Sequence, residues 1–292
     1  MEAHMIIDCH FHYDERMMNA EALLAKMSAA CVDRTALIGC MNDPLPVTPH
    51  VAVWLLQQLL TRKPLRGVGN LLSANFTDDG IKILNSVYTI YPDPDNGPVF
   101  SLTRKHPDKF YGWVFVNPRG KNDPVREIEK WKKSPGFVGI KAHPFWHRYP
   151  PVELVPAAEQ AVSLNKPLLI HAGFGDHGNF IDLVDRVPGL KLVLAHAAFP
   201  CYADSWKLIR ERPSVFVDLS AVAYVGEKIM KDVVAYLGAE RCFFGTDGPY
   251  GPLAEDGLYD YAYIKNRIDR LFPEERTRKM ILGENFARVA GL

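Results

Sequence analysis

Two histidines stand two residues apart at the end of a short apolar run, Ile6-Ile7-Asp8-Cys9-His10-Phe11-His12. In a β-strand, side chains at i and i+2 point to one face, so both imidazoles can converge on one ion from a rigid support, with Cys9 and Phe11 directed the other way. Three later segments repeat the pattern of an apolar run that turns polar at its end: Pro167–His171, Lys191–His196 and Cys242–Asp247. The imidazoles of His10, His12 and His171 with the carboxylate of Asp247 suit zinc first, and also manganese or iron(II). Such an ion with an open position lowers the pKa of a bound water to roughly 7 and polarises a carbonyl, which serves both hydrolysis and decarboxylation. Asp8, on the His10 face and one pair deeper, is expected to hold a histidine through its other ring nitrogen.

The remaining polar strand ends leave alternatives open. His196 reads as a ligand to a second ion, a general acid or base beside the first, or a satisfied structural histidine. Asp247, within Gly-Thr-Asp-Gly-Pro, reads as a turn cap or as the carboxylate that binds the metal and takes a proton from its water. Lys141 and His143, in Gly139-Ile140-Lys141-Ala142-His143-Pro144, share a strand face and offer positive charge and a hydrogen bond to an anionic substrate. Arg148 is a candidate carboxylate anchor. Phe174 and Tyr250, with Phe145, Trp146, Phe199, Tyr202 and Tyr224, form an aromatic rim suited to a planar or cyclic carboxylate.

These side chains need a scaffold that brings the ends of several strands to one place. Apolar strand candidates alternate with amphipathic helix candidates along nearly the whole chain, the mark of βα units and a parallel sheet. Eight strands are expected at 5–12, 35–40, 110–116, 137–142, 168–171, 192–196, 215–219 and 242–246. Asn19 is placed to cap a helix running to about Ala30, and Pro156 lies early in one ending near Asn165. The stretch 273–290 reads as two closing helices. An α/β fold follows, a distorted (β/α)8 barrel whose site lies where the strands end. Residues 41–109 are too long for a βα connection and form an insertion after strand 2, with helices expected at 49–61 and 78–91. It reads as a lid or as a structural or dimer-forming excursion.

Composition narrows the function classes. The 292 residues carry 34 positive and 34 negative side chains and are 48% hydrophobic and 23% charged. This balance gives no electrostatic case for nucleic acid or an acidic membrane surface. The five cysteines are scattered and mostly lie in apolar runs, which reads as buried free thiols in a reducing compartment, and hence a cytoplasmic enzyme. No run approaches the roughly 18 apolar residues of a membrane span.

The ordered set of His10-x-His12, His171, His196 and Asp247 resembles the amidohydrolase superfamily, whose pattern is His-x-His on strand 1, His on strands 5 and 6, and Asp on strand 8. The likeness extends over 189–196, 215–220, 241–247 and 281–288, and the Lys-x-His-Pro form on strand 4 resembles the amidohydrolase-related subgroup. The resemblance implies one metal, proton transfer or substrate polarisation by His196, and a strand 4 that contacts substrate. In binuclear superfamily members a carboxylated lysine takes the place of Lys141. A homodimer through the insertion or outer helices is a further expectation of the family. The expected reaction is hydrolysis of an ester, lactone or amide in a small cyclic or aromatic carboxylate. Non-oxidative decarboxylation is the alternative, and a non-catalytic metal-binding barrel is a third reading.

Overall fold

The computed structural model describes residues 5–45, 59, 76–77, 80–83 and 86–292. Eight strands lie side by side in chain order and all neighbours run parallel. They are β1 (Ile7–Tyr13), β2 (Arg34–Gly39), β3 (Phe110–Phe115), β4 (Phe137–Ala142), β5 (Leu168–Ile170), β6 (Leu192–Leu194), β7 (Val215–Asp218) and β8 (Cys242–Phe243). The amide of Cys9 donates to the Phe244 carbonyl at 3.0 Å, that of Asp247 to His10 at 2.7 Å and that of His12 to Gly248 at 2.7 Å. These bonds join the last strand to the first, so the sheet is an α/β barrel of the (β/α)8 type.

Parallel strands buried on both faces need helices as crossovers, and the sequence supplies their limits. Asn19 accepts from the Ala22 amide at 2.9 Å and starts α1 (Ala20–Ala29). The Asp123 side chain accepts from the Arg126 amide and starts α3 (Pro124–Trp131); between them α2 (Gly97–Lys105) packs on β2 and β3. Then follow α4 (Val155–Ser163), with Pro156 in its first turn, α5 (Ile181–Arg186), α6 (Ala203–Arg210), α7 (Glu227–Leu237) and α8 (Tyr263–Leu271). Residues 97–105 are thus the regular crossover of the barrel rather than inserted chain.

Inside the barrel an apolar plug draws on every strand, including Ile7, Cys9, Ile38, Trp113, Val138, Leu169, Val193, Phe216 and Phe243, with Phe286 below. A second cluster, with Leu37, Val114, Ile140, Leu168 and Val217, fills the layer between strands and helices. The plug keeps water out below the strand ends, so polar side chains above it sit on a dry floor.

The closing stretch holds two α-helices as expected, Glu275–Lys279 and Asn285–Ala290, joined without a break by a π turn at Met280–Glu284. The wide turn lets the Ile281 carbonyl accept from the Phe244 amide at 2.8 Å, while Asn285 donates to the carbonyls of Ala239 and Cys242. Two expectations are corrected here. The helix expected at 78–91 is instead an antiparallel pair, Gly80–Ile83 with Ser86–Thr89, edged by Phe76–Thr77. Its β-branched Ile81, Ile83, Val87 and Thr89 alternate along the chain, which suits a pleated pair better than a helix. The helix expected at 49–61 lies outside the described residues, apart from Leu59. All five cysteines are free, but only Cys9 and Cys242 are buried and Cys31 is exposed, because it sits in the surface turn after α1. Among the described residues no helix is long and apolar enough to cross a membrane.

Candidate active site

His10 and His12 converge as their spacing requires, with Nε2 atoms 3.3 Å apart. The strand carrying them is not regular. Pairing of β1 with β2 shifts between Asp8 and Phe11, and Cys9 faces the barrel plug whereas Phe11 faces the helix layer. Such a bulge re-aims the residues beyond it, here the two histidines, toward the interior. Cys9 and Phe11 therefore do not share a face, and Asp8 does not share one with His10. The Asp8 carboxylate accepts from the His10 amide at 3.0 Å and from the amide and hydroxyl of Thr246 at 3.0 and 2.7 Å. Burial pushes its pKa up to about 7 against the pull of those bonds. It pins β8 to β1 and, among the described residues, hydrogen-bonds no ring nitrogen.

The ring nitrogen of His10 goes to a residue that the strand patterns left unassigned. Asp218, the last residue of β7, is fully buried and its Oδ2 lies 2.9 Å from His10 Nδ1. Its Oδ1 accepts from the amides of His196 and Ser220 at 2.9 and 3.0 Å and from the Ser220 hydroxyl. The signal was an aspartate ending the apolar run Val-Phe-Val-Asp, the same pattern that marks His171 and His196.

Asp247 leaves β8 in the left-handed region, φ 58°, a conformation aspartate tolerates better than most residues. Its Oδ1 lies 3.3 Å from His10 Nε2 and 3.6 Å from His12 Nε2, and its Oδ2 3.9 Å from His196 Nε2. Ligating atoms of His10, His196 and Asp247 all fall within 4.8 Å of one another. His171 joins from the end of β5, its Nδ1 3.2 Å from His196 Nε2. Gly245 makes this approach of strands possible, since a Cβ there would stand 2.9 Å from His10 Cβ and 3.1 Å from Ser220 Cβ.

His196 begins three successive left-handed residues, His196, Ala197 and Ala198, at φ 57°, 54° and 61°. Each such non-glycine residue costs roughly 1–2 kcal/mol. The loop is held by Trp206 donating to the Ala197 carbonyl at 2.7 Å and by Tyr202 donating to the Tyr224 carbonyl at 2.8 Å. Backbone strain concentrated at a strand end beside polar side chains is a mark of functional sites.

Electrostatics sets the protonation of the cluster. Burial pushes the imidazoles of His10, His12, His143, His171 and His196 well below the ordinary histidine range. Burial likewise lifts the Asp247 carboxyl well above its usual range, with Lys141 pulling the other way. Lys141, completely buried on β4, is lowered to about 8 by burial, opposed by Asp218 and Asp247. Among the described residues neither Lys141 Nζ nor His171 Nε2 has a hydrogen-bond partner. Neutral imidazole nitrogens and a carboxylate crowded together fit a divalent ion with nitrogen and oxygen ligands, and the orphaned His171 Nε2 fits the same reading.

The substrate-binding candidates divide. The His143 ring lies tilted against that of His171, 4.2 Å between centroids, and its Nδ1 accepts from the Trp146 amide at 3.0 Å. Phe174 meets Phe145 and Phe199 edge-on at 5.7 and 6.1 Å, and Phe199 stacks on Tyr224 at 4.2 Å. Tyr224 in turn leans on His196, 5.3 Å between rings. Tyr250 stands edge-on to His12 at 6.0 Å, its hydroxyl 3.3 Å from Asn42 at the root of the insertion. Arg148 is exposed, left-handed at φ 56°, and its carbonyl accepts from Arg119 at 2.6 Å.

A parallel eight-stranded barrel with imidazoles and carboxylates gathered at its strand ends defines a class of barrel enzymes built for acid–base and metal chemistry. Residues 92–292 match the amidohydrolase family, and the chain belongs to that family. In fold it is similar to 5-carboxyvanillate decarboxylase from Novosphingobium aromaticivorans, solved with manganese and 4-hydroxy-3-methoxy-5-nitrobenzoic acid, at 14% identity and TM-score 0.59 over 99% of this chain and 97% of that one. It is similar to a probable 2-pyrone-4,6-dicarboxylic acid hydrolase from Acinetobacter baumannii, at 12% identity and TM-score 0.60 over 98% and 99%. An alignment 109 positions long, covering 32% of this chain, is 26% identical to protein fluG of Emericella nidulans, of whose length it spans 13%.

Proposed function

We propose that this protein is a metal-dependent hydrolase that opens an ester, lactone or amide bond in a small, planar, anionic molecule. The observation that carries the reading is the Asp247 carboxylate, with one oxygen against His10 and His12 and the other toward His196. His10, His12, His171 and Asp247 are the residues that would hold the ion. When bound, the ion supplies Lewis acidity, polarising a carbonyl and making water acidic near neutral pH. Asp247 takes the proton of the attacking water on its Oδ2 and returns it to the leaving group. His196, whose Nε2 lies 3.9 Å from Asp247 Oδ2, is the base that can share that proton from the other side. Lys141 meets the negative charge of the substrate, and Phe145, Phe174, Phe199 and Tyr224 receive its flat face.

Non-oxidative decarboxylation is the second reading, favoured by the pairing of that aromatic wall with the buried, unpartnered Lys141 ammonium. There Asp247 hands a proton to the ring carbon that loses carbon dioxide. Turnover of lactones, aryl esters and hydroxybenzoates by metal-loaded protein separates the two, because hydrolysis consumes added base and decarboxylation releases carbon dioxide. Asp247→Asn is expected to lower kcat about 10²–10⁴-fold in either case, with the circular dichroism unchanged. An Asn variant as active as the parent would sink both readings.

A further inference from the structure

A single buried carboxylate reaches two imidazoles of the cluster from behind, one directly and one through a serine. Asp218 Oδ2 lies 2.9 Å from His10 Nδ1, and Asp218 Oδ1 accepts the Ser220 hydroxyl, whose oxygen lies 2.8 Å from His196 Nδ1. A hydroxyl has one proton. Ser220 spends it on Asp218, so toward His196 it can only accept, and the proton between them belongs to His196 Nδ1. A carboxylate likewise only accepts, so His10 carries its proton on Nδ1. We propose that Asp218 is a positioning residue that sets the tautomer of two rings at once, His10 directly and His196 through Ser220. Each ring is thereby left with a bare electron pair on Nε2, that of His10 3.3 Å from Asp247 and that of His196 between His171 Nδ1 at 3.2 Å and Asp247 at 3.9 Å.

The geometry has no slack for the opposite tautomer. The Asp218 carboxylate is fully buried and every donor it meets comes from a strand end of the site: His10 from β1, the His196 amide from β6, and the Ser220 amide and hydroxyl from the residues just past its own strand. Turning either ring proton to Nε2 would set a bare Nδ1 against Asp218 or against the Ser220 oxygen, two acceptors facing each other without water. For His196 the consequence is specific. In its resting form it offers an electron pair, as a ligand or a base, and does not offer a proton as an acid. This rests on the metal reading above only for what the electron pairs serve; the tautomers themselves belong to the chain.

The test is ¹⁵N–¹H correlation spectroscopy of histidine-labelled, metal-free protein, with His10→Gln and His196→Gln spectra assigning the two rings. The expected result is Nδ1–H for both in the parent, and in Ser220→Ala a shift of His196 toward the Nε2–H form while His10 stays unchanged. Asp218→Asn is expected to disturb both rings and to weaken zinc binding, measured by competition with a chromogenic chelator, about 10–100-fold. An Nε2–H form at either ring of the parent, or a His196 signal indifferent to Ser220→Ala, would overturn the proposal. If Asp218→Asn does not fold, the parent and Ser220→Ala spectra still decide it. A parent that shows both Nδ1–H forms yet takes up no zinc would count against the metal reading and leave the tautomer assignment standing.

Discussion

Lys141 is the residue whose setting demands most explanation. An ammonium with no hydrogen-bond partner, completely enclosed, is costly unless another charge completes it. Asp218 and Asp247 supply part of that charge from a distance, and an anionic substrate supplies the rest. Lys141→Met is therefore expected to raise KM at least about 10-fold for a carboxylate substrate while changing a neutral ester of the same ring little. Steady-state kinetics on the matched pair of substrates checks this, and an equal loss on both would remove Lys141 from substrate recognition. At this scale most of the cluster was legible, because a polar residue ending an apolar strand announces itself by type and place. Asp218 bore the same mark within Val-Phe-Val-Asp, yet a carboxylate can serve so many structural ends that its two-ring role emerges only from distances. The left-handed turn that places Arg148 is set by its backbone, which residue type and order do not announce.

The strands were readable because their apolar runs are long enough to be buried on both faces, and the crossovers because their caps are local. Irregularities were not readable. The bulge in β1 depends on how that strand meets β2 and β8, and a period-2 reading cannot register one residue out of step. The antiparallel pairing of Gly80–Ile83 with Ser86–Thr89 is marked by β-branched content and not by spacing, which is why a helical reading of 78–91 fails. Gly245 shows the same dependence on neighbours: its lack of a side chain is what lets β8 approach β1 and Ser220. Gly245→Ala is expected to cost about 1–3 kcal/mol of stability in urea unfolding and to weaken metal binding together with it. A variant of unchanged stability and affinity would mean that the strand ends tolerate wider spacing than their contacts suggest.

Across the whole molecule the dry barrel floor governs the response to acid. Five buried imidazoles have their pKa values depressed by burial relative to the unfolded chain, where each is near 6.5. The unfolded state therefore binds more protons below that value. Metal-free protein is expected to lose stability progressively as pH falls through about 6.5 and below, partly offset by Asp8 and Asp247, whose raised carboxyls take up protons in the folded state, read as the urea midpoint against pH. A flat profile between pH 7 and 5 would contradict the neutral cluster.

The barrel also has a seam. Its first and last strands are joined by the Cys9–Phe244, His10–Asp247 and His12–Gly248 backbone bonds, and the Thr246–Asp8 contacts alongside span 238 residues of chain. Seven neighbouring pairs follow one another in sequence, but this eighth must wait until nearly the entire ring has been assembled, and it bears the largest loop-closure entropy. His10 and His12 stand on one lip of the seam and Asp247 on the other. The ion proposed above, if gripped by all three, would work as a clasp, so loading the site and locking the ring would become one event. Amide hydrogen exchange at Cys9, His12 and Asp247 is expected to quicken on chelation far more than at the β4–β5 pairing across the barrel. Uniform quickening around the ring would show that the ion stabilises the molecule without fastening this edge.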